Sequence, residues 1–583
     1  MLFSVAAACA FAAGSSAFIT GTDDIPLIGP SFLSNVDLSN SQHFQDAKSE
    51  FSNRIEELFT SGELNRTDLV FAVDIFSANT NGSIHNYFHV GEGQEEVLTS
   101  GRLDFDTIGR LGSVSKLFTA YALVAEAGME VFSHPVTRYF PELRGNSSST
   151  PPNRIHWDEI TVGALASHQA GTGGVGDFFL KNAQTPEKIT TECKQQPPEL
   201  RGIKLTRLST KAFVSFLRDE KRPVMPAFRN ALYSDAGYSL LGHVLARITG
   251  QSYPDSMQKI LFGPLGMNST TAKPPTGPNL NAINRYLVDN TSSWNIDVQV
   301  TAPSGGIFSS LTDMRKVGLS ILNSELISPA TTRAWMKPLS GTGSLVELVG
   351  APWEINRLTI PATPGSNRTR VCDLYTKAGG NGDYTAVLGL SPDHGIGFSI
   401  LVAGSTASSA RWPIRQAIGE IFVPAAERAA AANALENLTG TFVDEKSEHT
   451  NITLSFEDGK PGLGLDSFYV EGQDSRHLLL GASKPSDIIM RVYPTGPSLA
   501  SSSLAELYRT RGTLRVSHRF VAQRPPAPPR ASAEGGEGLF ENYFAWMNIG
   551  FNGPLDELIF EIEDGKLVSV TVVGAELVLK RVD

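Results

Sequence analysis

The stretch YTAVLGLSPDHGIGFSILVAG, Tyr384 to Gly404, consists of two apolar runs of strand length joined by Pro392, Asp393, His394 and Gly395. Turn residues between two such runs signal a β-hairpin, so the fold contains an antiparallel strand pair at this place. A second strand-like run, DLVFAVDIFS, ends far upstream at Ser77. Apolar helical patterns alternate with strand-like runs over residues 37–424, which predicts one α+β domain there. PAAERAAAANALENLTG is then Ala-rich and polar and reads as a linking helix rather than a core element. Beyond it, NITLSFEDGKPGLGLDSFYV, LLLGASKPSDIIMRVYP and ELIFEIEDGKLVSVTVVGAELVLKRV are short alternating runs with turn residues between them. They predict a small antiparallel β domain over residues 425–583, with QRPPAPPRASAEGGEG as a loop. A chain of 583 residues is several times the usual domain size, in keeping with two domains.

Hydrophobic content of 41% and charged content of 19% are those of a soluble globular protein. The formal charge of −11 and the lack of any Lys/Arg run argue against nucleic-acid binding. The start, MLFSVAAACAFAAGSSAFITG, is apolar through Ala13 and then small, with Ser15 and Ala17 placed as at a signal-peptidase site. It is too short for a membrane span and predicts a secretory signal over residues 1–17. Asn65, Asn81, Asn146, Asn268, Asn290, Asn367, Asn437 and Asn451 each begin an Asn-x-Ser/Thr sequon, as expected of a secreted glycoprotein. Cys9 would leave with the signal. Cys193 and Cys372 then form an even pair, which either one disulfide or two buried thiols accommodates. His85 and His89 lack the Glu of a zinc-protease helix, and no other histidine cluster suggests a metal, so no metal or other cofactor is expected.

Candidate chemistry centres on RLGSVSKLFTAYALVAEAG, where Ser113 precedes Lys116 by three residues at the start of a helical apolar pattern. A capped, buried helix explains that stretch alone, and the chain holds a second copy, Ser256-Met257-Gln258-Lys259, in a plain amphipathic pattern. A serine hydroxyl needs a base within reach, and residues i and i+3 of a helix share a face, so Lys116 is placed to serve Ser113. Lysine acts as a base only when burial or a neighbouring cation lowers its pKa, which calls for a second cation. LYTKAGGNGDYTAVLGLSP supplies Lys377, and ALYSDAGYSLLGHVLARITG supplies Tyr233.

Ser113-x-x-Lys116, Tyr233-x-Asp235 and Lys377-x-Gly379, in that order, resemble the three-motif active site of serine β-lactamases and penicillin-binding proteins. SHPVTRYFPEL, ITVGALASHQAG, FGPLGMNSTT and APSGGIFSSLTDM resemble esterase-type, class C members in the same order. The chain is most similar to fungal secreted β-lactamase-like proteins with an added C-terminal β domain. The resemblance implies an antiparallel five-stranded sheet with helices on both faces and a helical subdomain, the serine at their junction. It implies that Ser113 attacks an acyl carbonyl and that Lys116 and Tyr233 relay its proton. Lys377 would hold Tyr233 toward its anion or bind a substrate carboxylate, and the N–H groups of Ser113 and Gly380 would form the oxyanion hole. Gly379 would leave room for the acyl group.

Asp235 departs from the family's Asn. An ionised carboxylate only accepts hydrogen bonds, and beside Lys116 it favours the protonated lysine, a poorer base; alternatively Asp235 is itself protonated or is the acceptor that orients Lys116, and it is expected to touch substrate. Ser234-Asp235-Ala236 offers a second register, although the following GYSLLG favours Tyr233. The implied activity is that of a secreted serine hydrolase acting on a small-molecule ester or amide, with no nucleic-acid or membrane partner. Acyl transfer in small-molecule biosynthesis and a stalled acyl-binding sensor are the alternatives. The Gly-rich segment from His168 to Arg207 is long enough to cover a pocket. The resemblance sets Cys372 on the pocket's opposite wall, from which a Cys193–Cys372 disulfide pinning that segment is expected.

Overall fold

A computed structural model describes residues 28–145, 154–181, 208–366, 369–476, 489–497, 504–523 and 553–582. The signal segment, the sequons at Asn146 and Asn367, Cys193 and most of the His168–Arg207 stretch lie outside them.

The strands of the first domain, in chain order, are β1 (Val70–Ser77), β2 (Gly82–Val90), the short pair β3 (Gly109–Arg110) and β4 (Phe308–Ser309), β5 (Ser340–Gly341), β6 (Glu347–Val349), β7 (Glu354–Pro361), β8 (Thr369–Asn381), β9 (Tyr384–Ser391) and β10 (Ile396–Ala403). Eight of them form one antiparallel sheet in the order β2-β1-β10-β9-β8-β7-β6-β5. The hairpin read from the sequence is β9–β10, paired from Ser391↔Ile396 to Tyr384↔Ala403. The sheet has eight strands rather than five, because residues 340–361 add β5, β6 and β7 beyond β8.

Every residue of β1, β9 and β10 is buried, so successive side chains feed two different cores. Ala72, Ala386, Leu388 and Leu401 face a core with the helices Ser115–Ala127, Asp235–Thr249 and Leu311–Asn323. Phe71, Val73, Val387 and Ile400 face another with the helices Gln42–Ser61 and Ala407–Asn433. The sheet is thus a filled middle layer, which fixes its register: a one-residue slip would exchange the two faces.

The Ala-rich stretch is the second half of the helix Ala407–Asn433, and it is core, not merely a link. Ala425, Ala426 and Ala429 pack in the first domain, whereas Ala430 and Ala431 belong to the core of the second. Small side chains let this helix approach its neighbours closely; just upstream, the Phe422 ring lies tilted against Phe44 and Phe51, with centres 5.2 and 5.4 Å away. Among the described residues the second domain is a nine-stranded antiparallel sheet in which the strands Ser447–Ser455 and Leu463–Val470 also pair, closing it into a barrel.

The hairpin turn ties the layers together. Arg370 donates to both carboxylate oxygens of Glu427, at 2.9 and 2.7 Å, and to Asp393 at 2.8 Å. His394 bridges Glu427 and Ser391, each at 2.8 Å. Burial alone would raise the Glu427 carboxyl, but Arg370 and His394 bring it down to about 2. Tyr508 of the second domain donates to the Pro392 carbonyl at 2.6 Å, and Ser34 to that of Asp393 at 2.8 Å. A fully partnered cluster of this kind is costly to break, about 3–5 kcal/mol when one charge is removed.

Cys372 departs from its expected place. It is a free, fully buried thiol in the core that also holds Leu374 and Ile418, 3.8 Å from the Ser391 hydroxyl, and does not line the cleft. Five residues separate it from Lys377, and an odd separation on a strand places two side chains on opposite faces. Burial pushes its pKa well above the ordinary thiol value. Cys372 should therefore resist a thiol reagent in the native protein and be alkylated once the chain is denatured without reductant. A Cys372 peptide recovered only after reduction would restore the disulfide.

Candidate active site

Ser113 lies in a tight turn, Gly112–Val114, that leads into the helix Ser115–Ala127. That helix is buried from Ser115 through Val124, so it is a central helix covered on every side. The turn lies directly against β8. A Cβ on Gly379 would stand 2.0 Å from the Leu111 carbonyl oxygen and 2.6 Å from the Ser113 nitrogen, and one on Gly112 would stand 2.5 Å from the Gly380 nitrogen. Gly112 also has φ +52, a left-handed conformation. The backbones of Ser113 and Gly380 can be neighbours only because these two positions lack side chains.

Lys116 has no exposed side-chain surface. Its ammonium donates to Ser113 Oγ at 3.0 Å, to Asp235 Oδ1 at 2.6 Å and to the Ser304 carbonyl at 2.7 Å, one acceptor for each proton. Burial lowers its pKa, and the charge and hydrogen bond of Asp235 oppose that fall without cancelling it. In its neutral form the same amine can take the Ser113 proton along the same contact.

Tyr233 is 46% exposed at the mouth of the site, but its hydroxyl turns inward beside Ser113. Burial of that hydroxyl raises its pKa to about 12, against the pull of Lys377. Lys116 Nζ lies 4.8 Å and Lys377 Nζ 5.3 Å from the centre of the Tyr233 ring. Ser234 faces the other way. It is buried, caps the helix Asp235–Thr249 by accepting from the Gly237 nitrogen at 2.8 Å, and donates to the Gly173 carbonyl at 2.8 Å. The structure therefore presents Tyr233 to Ser113 and gives Ser234 to the scaffold.

Lys377 is almost wholly buried and bonds to Glu354 and to the Ala378 carbonyl. Its ammonium goes to that carboxylate, and Tyr233 is held neutral rather than drawn toward its anion. A cleft of about 640 Å³ is lined by Ser113, Tyr233, Asp235, Lys377, Gly379 and Gly380, with Lys116 directly behind Ser113. The decoy Ser256 is a buried residue that bonds to Ser252 and Thr249. Asn65, Asn81, Asn268 and Asn290 are exposed, and Asn437 and Asn451 partly so.

Sequence reasoning passed over three residues of the site. Glu354, in APWEIN, accepts from the Ala378 nitrogen at 2.9 Å as well as from Lys377. The His168 ring lies tilted against that of Tyr233, 4.6 Å between centres, and accepts from the Ser234 nitrogen at 3.0 Å. Burial and the two lysines keep it neutral, far below its ordinary pKa. Arg411 donates to the Gly379 carbonyl and to Thr385 Oγ1, both at 2.7 Å, holding the strand that faces Ser113. ASHQAG was visible as a motif, whereas nothing local marks Glu354 or Arg411.

The family profile described as Beta-lactamase matches residues 83–419, and one described as Beta-lactamase-like-like, C-terminal domain, matches residues 430–583. The chain is 26% identical to a Beta-lactamase-like protein of Arthroderma benhamiae, over 92% of each chain. It is 25% identical to a Probable hydrolase of Phoma sp., over 88% of this chain and 84% of that one. Among solved structures, a class C beta lactamase from Rhodobacter sphaeroides superposes with a TM-score of 0.44 at 20% identity, covering 64% of this chain and 98% of that one.

Three substitutions test the assignments within this site. Tyr233→Phe removes the hydroxyl beside Ser113 and should lower acylation by about two orders of magnitude or more. Ser234→Ala should cost about 1 kcal/mol of stability as a lost cap and leave the acylation rate within about threefold; stopped-flow acylation and urea unfolding measure both, and the opposite ranking would reinstate Ser234. Asp235→Asn removes the group that raises the Lys116 pKa, so the lysine stays neutral to lower pH. The acidic limb of kcat/KM should move down in pH, and an unmoved limb would mean that Asp235 does not control Lys116.

Proposed function

The chain belongs to the beta-lactamase family, and on that premise we propose that it is a serine hydrolase acting through an acyl-Ser113 intermediate on a small-molecule ester or amide. The observation that carries this reading is the Lys116 ammonium 3.0 Å from Ser113 Oγ, buried and backed by Asp235, in a cleft that Gly379 and Gly380 bring against the serine backbone. Neutral Lys116 takes the Ser113 proton as the oxygen bonds to the acyl carbonyl carbon. Charge developing on the carbonyl oxygen is received by the N–H groups of Ser113 and Gly380, each such donor being worth roughly 3 kcal/mol. The tetrahedral species collapses as the neutral Tyr233 phenol, with its raised pKa, protonates the leaving group, which suits a general acid. Lys116 then returns its proton to Tyr233. Water entering from the open cleft attacks the acyl-serine by the reverse sequence.

Secretion is part of the same proposal, supported by the apolar start of the chain and by the sequons that stand on exposed surface at Asn65, Asn81, Asn268 and Asn290. Trapping tests the central step. A fluorophosphonate probe followed by peptide mapping should label Ser113, with no label in Ser113→Ala. Label on Ser256, or none on Ser113 in folded protein, would overturn the reading.

A further inference from the structure

Building on the acyl-Ser113 reading, we propose that the cleft selects acyl substrates that are uncharged or carry an amine and rejects those with a carboxylate near the scissile carbonyl, and that Glu354 sets this choice. Lys377 is the cation that such a carboxylate would have to reach. Its ammonium already bonds to Glu354 and to the Ala378 carbonyl at 2.7 Å, and its side chain is 1% exposed. The second oxygen of Glu354 accepts from the Ala378 nitrogen at 2.9 Å, so the carboxylate is fixed at both ends. With 36% of its side chain exposed, Glu354, not Lys377, is what an entering substrate meets.

The same inversion occurs at Asp235, whose side chain is 32% exposed while its partner Lys116 is wholly hidden behind it. Asp289 and Asp383 also line the cleft, but Asp383 is already paired with Arg285 at 3.1 Å and bonded by Ser292 and Ser293, so Glu354 and Asp235 are the carboxylates that bear on an entering substrate. Arg411 spends Nη1 on the Gly379 carbonyl and Thr385 Oγ1, its guanidinium lies 4.2 Å from the Trp412 ring centre, and its Nε is buried. A substrate carboxylate must displace Glu354 from Lys377 and enter beside Asp235, whereas an ammonium finds both as partners. Discrimination here comes from a repulsive element as much as from an attractive one.

The test uses three aryl esters with the same leaving group and acyl-chain length, ending in a carboxylate, a methyl or an ammonium group. In the unaltered protein kcat/KM for the carboxylate ester should fall at least about tenfold below the methyl ester, with the ammonium ester equal to or above it. Added salt should narrow that gap. Glu354→Gln should raise the carboxylate-to-methyl ratio by about tenfold. A carboxylate ester turned over as well as the methyl ester, or a ratio unmoved in Glu354→Gln, would overturn the proposal. Should that variant not fold, the ratio in the unaltered protein and its salt dependence decide the matter. Labelling by an uncharged fluorophosphonate separates the two layers. Ser113 labelled with esters unsorted by charge refutes the charge selection alone, and Ser113 unlabelled refutes the acyl-serine reading beneath it.

Discussion

The contact on which the site depends is the three-way anchoring of Lys116. An ammonium with no exposed surface is tolerated because Ser113, Asp235 and Ser304 each accept one proton, and those acceptors come from three separated parts of the chain. The same contacts therefore organise the fold locally and prepare the chemistry. Burial draws the lysine toward its neutral form while Asp235 draws it back, and the balance sets the pH at which Ser113 gains a base.

That balance requires the backbone of β8 to sit against the serine turn, and the sheet's layered burial holds it there. Gly112 and Gly379 permit the approach, and Arg411 clamps the far side of the strand from the helix Ala407–Asn433. The same helix carries Glu427 into the cluster with Arg370, Asp393 and His394, beside the turn that Tyr508 of the barrel domain grips. One helix thus connects the cleft wall, the hairpin turn and the second domain. This gives the C-terminal barrel a physical role in fixing the strands behind the site.

The hairpin at Tyr384–Ala403 was legible because turn residues interrupt two apolar runs, and the serine, tyrosine and lysine motifs were legible because their order and spacing are distinctive. The Ala-rich stretch misled because small residues without apolar periodicity look like a solvent-facing link, whereas close helix packing is what buries Ala429 and Ala430. Cys372 does not stand on the cleft wall where the resemblance sets it, because strand alternation turns it away from Lys377 and into the other core. Glu354 had no local signal. Its importance arises only when β7 pairs with β8 and sets Glu354 beside Thr376 and within reach of Lys377. Long-range pairing of this kind brings together residues that a local pattern cannot connect.

The central claim is that burial makes Lys116 the base for Ser113. Lysine side-chain NMR titration tests it most directly, with Lys116 assigned by comparison with Lys116→Arg. The account predicts one resonance that titrates below the ordinary lysine value of about 10.4 and disappears in that variant. Lysines that all titrate at the ordinary value would contradict it.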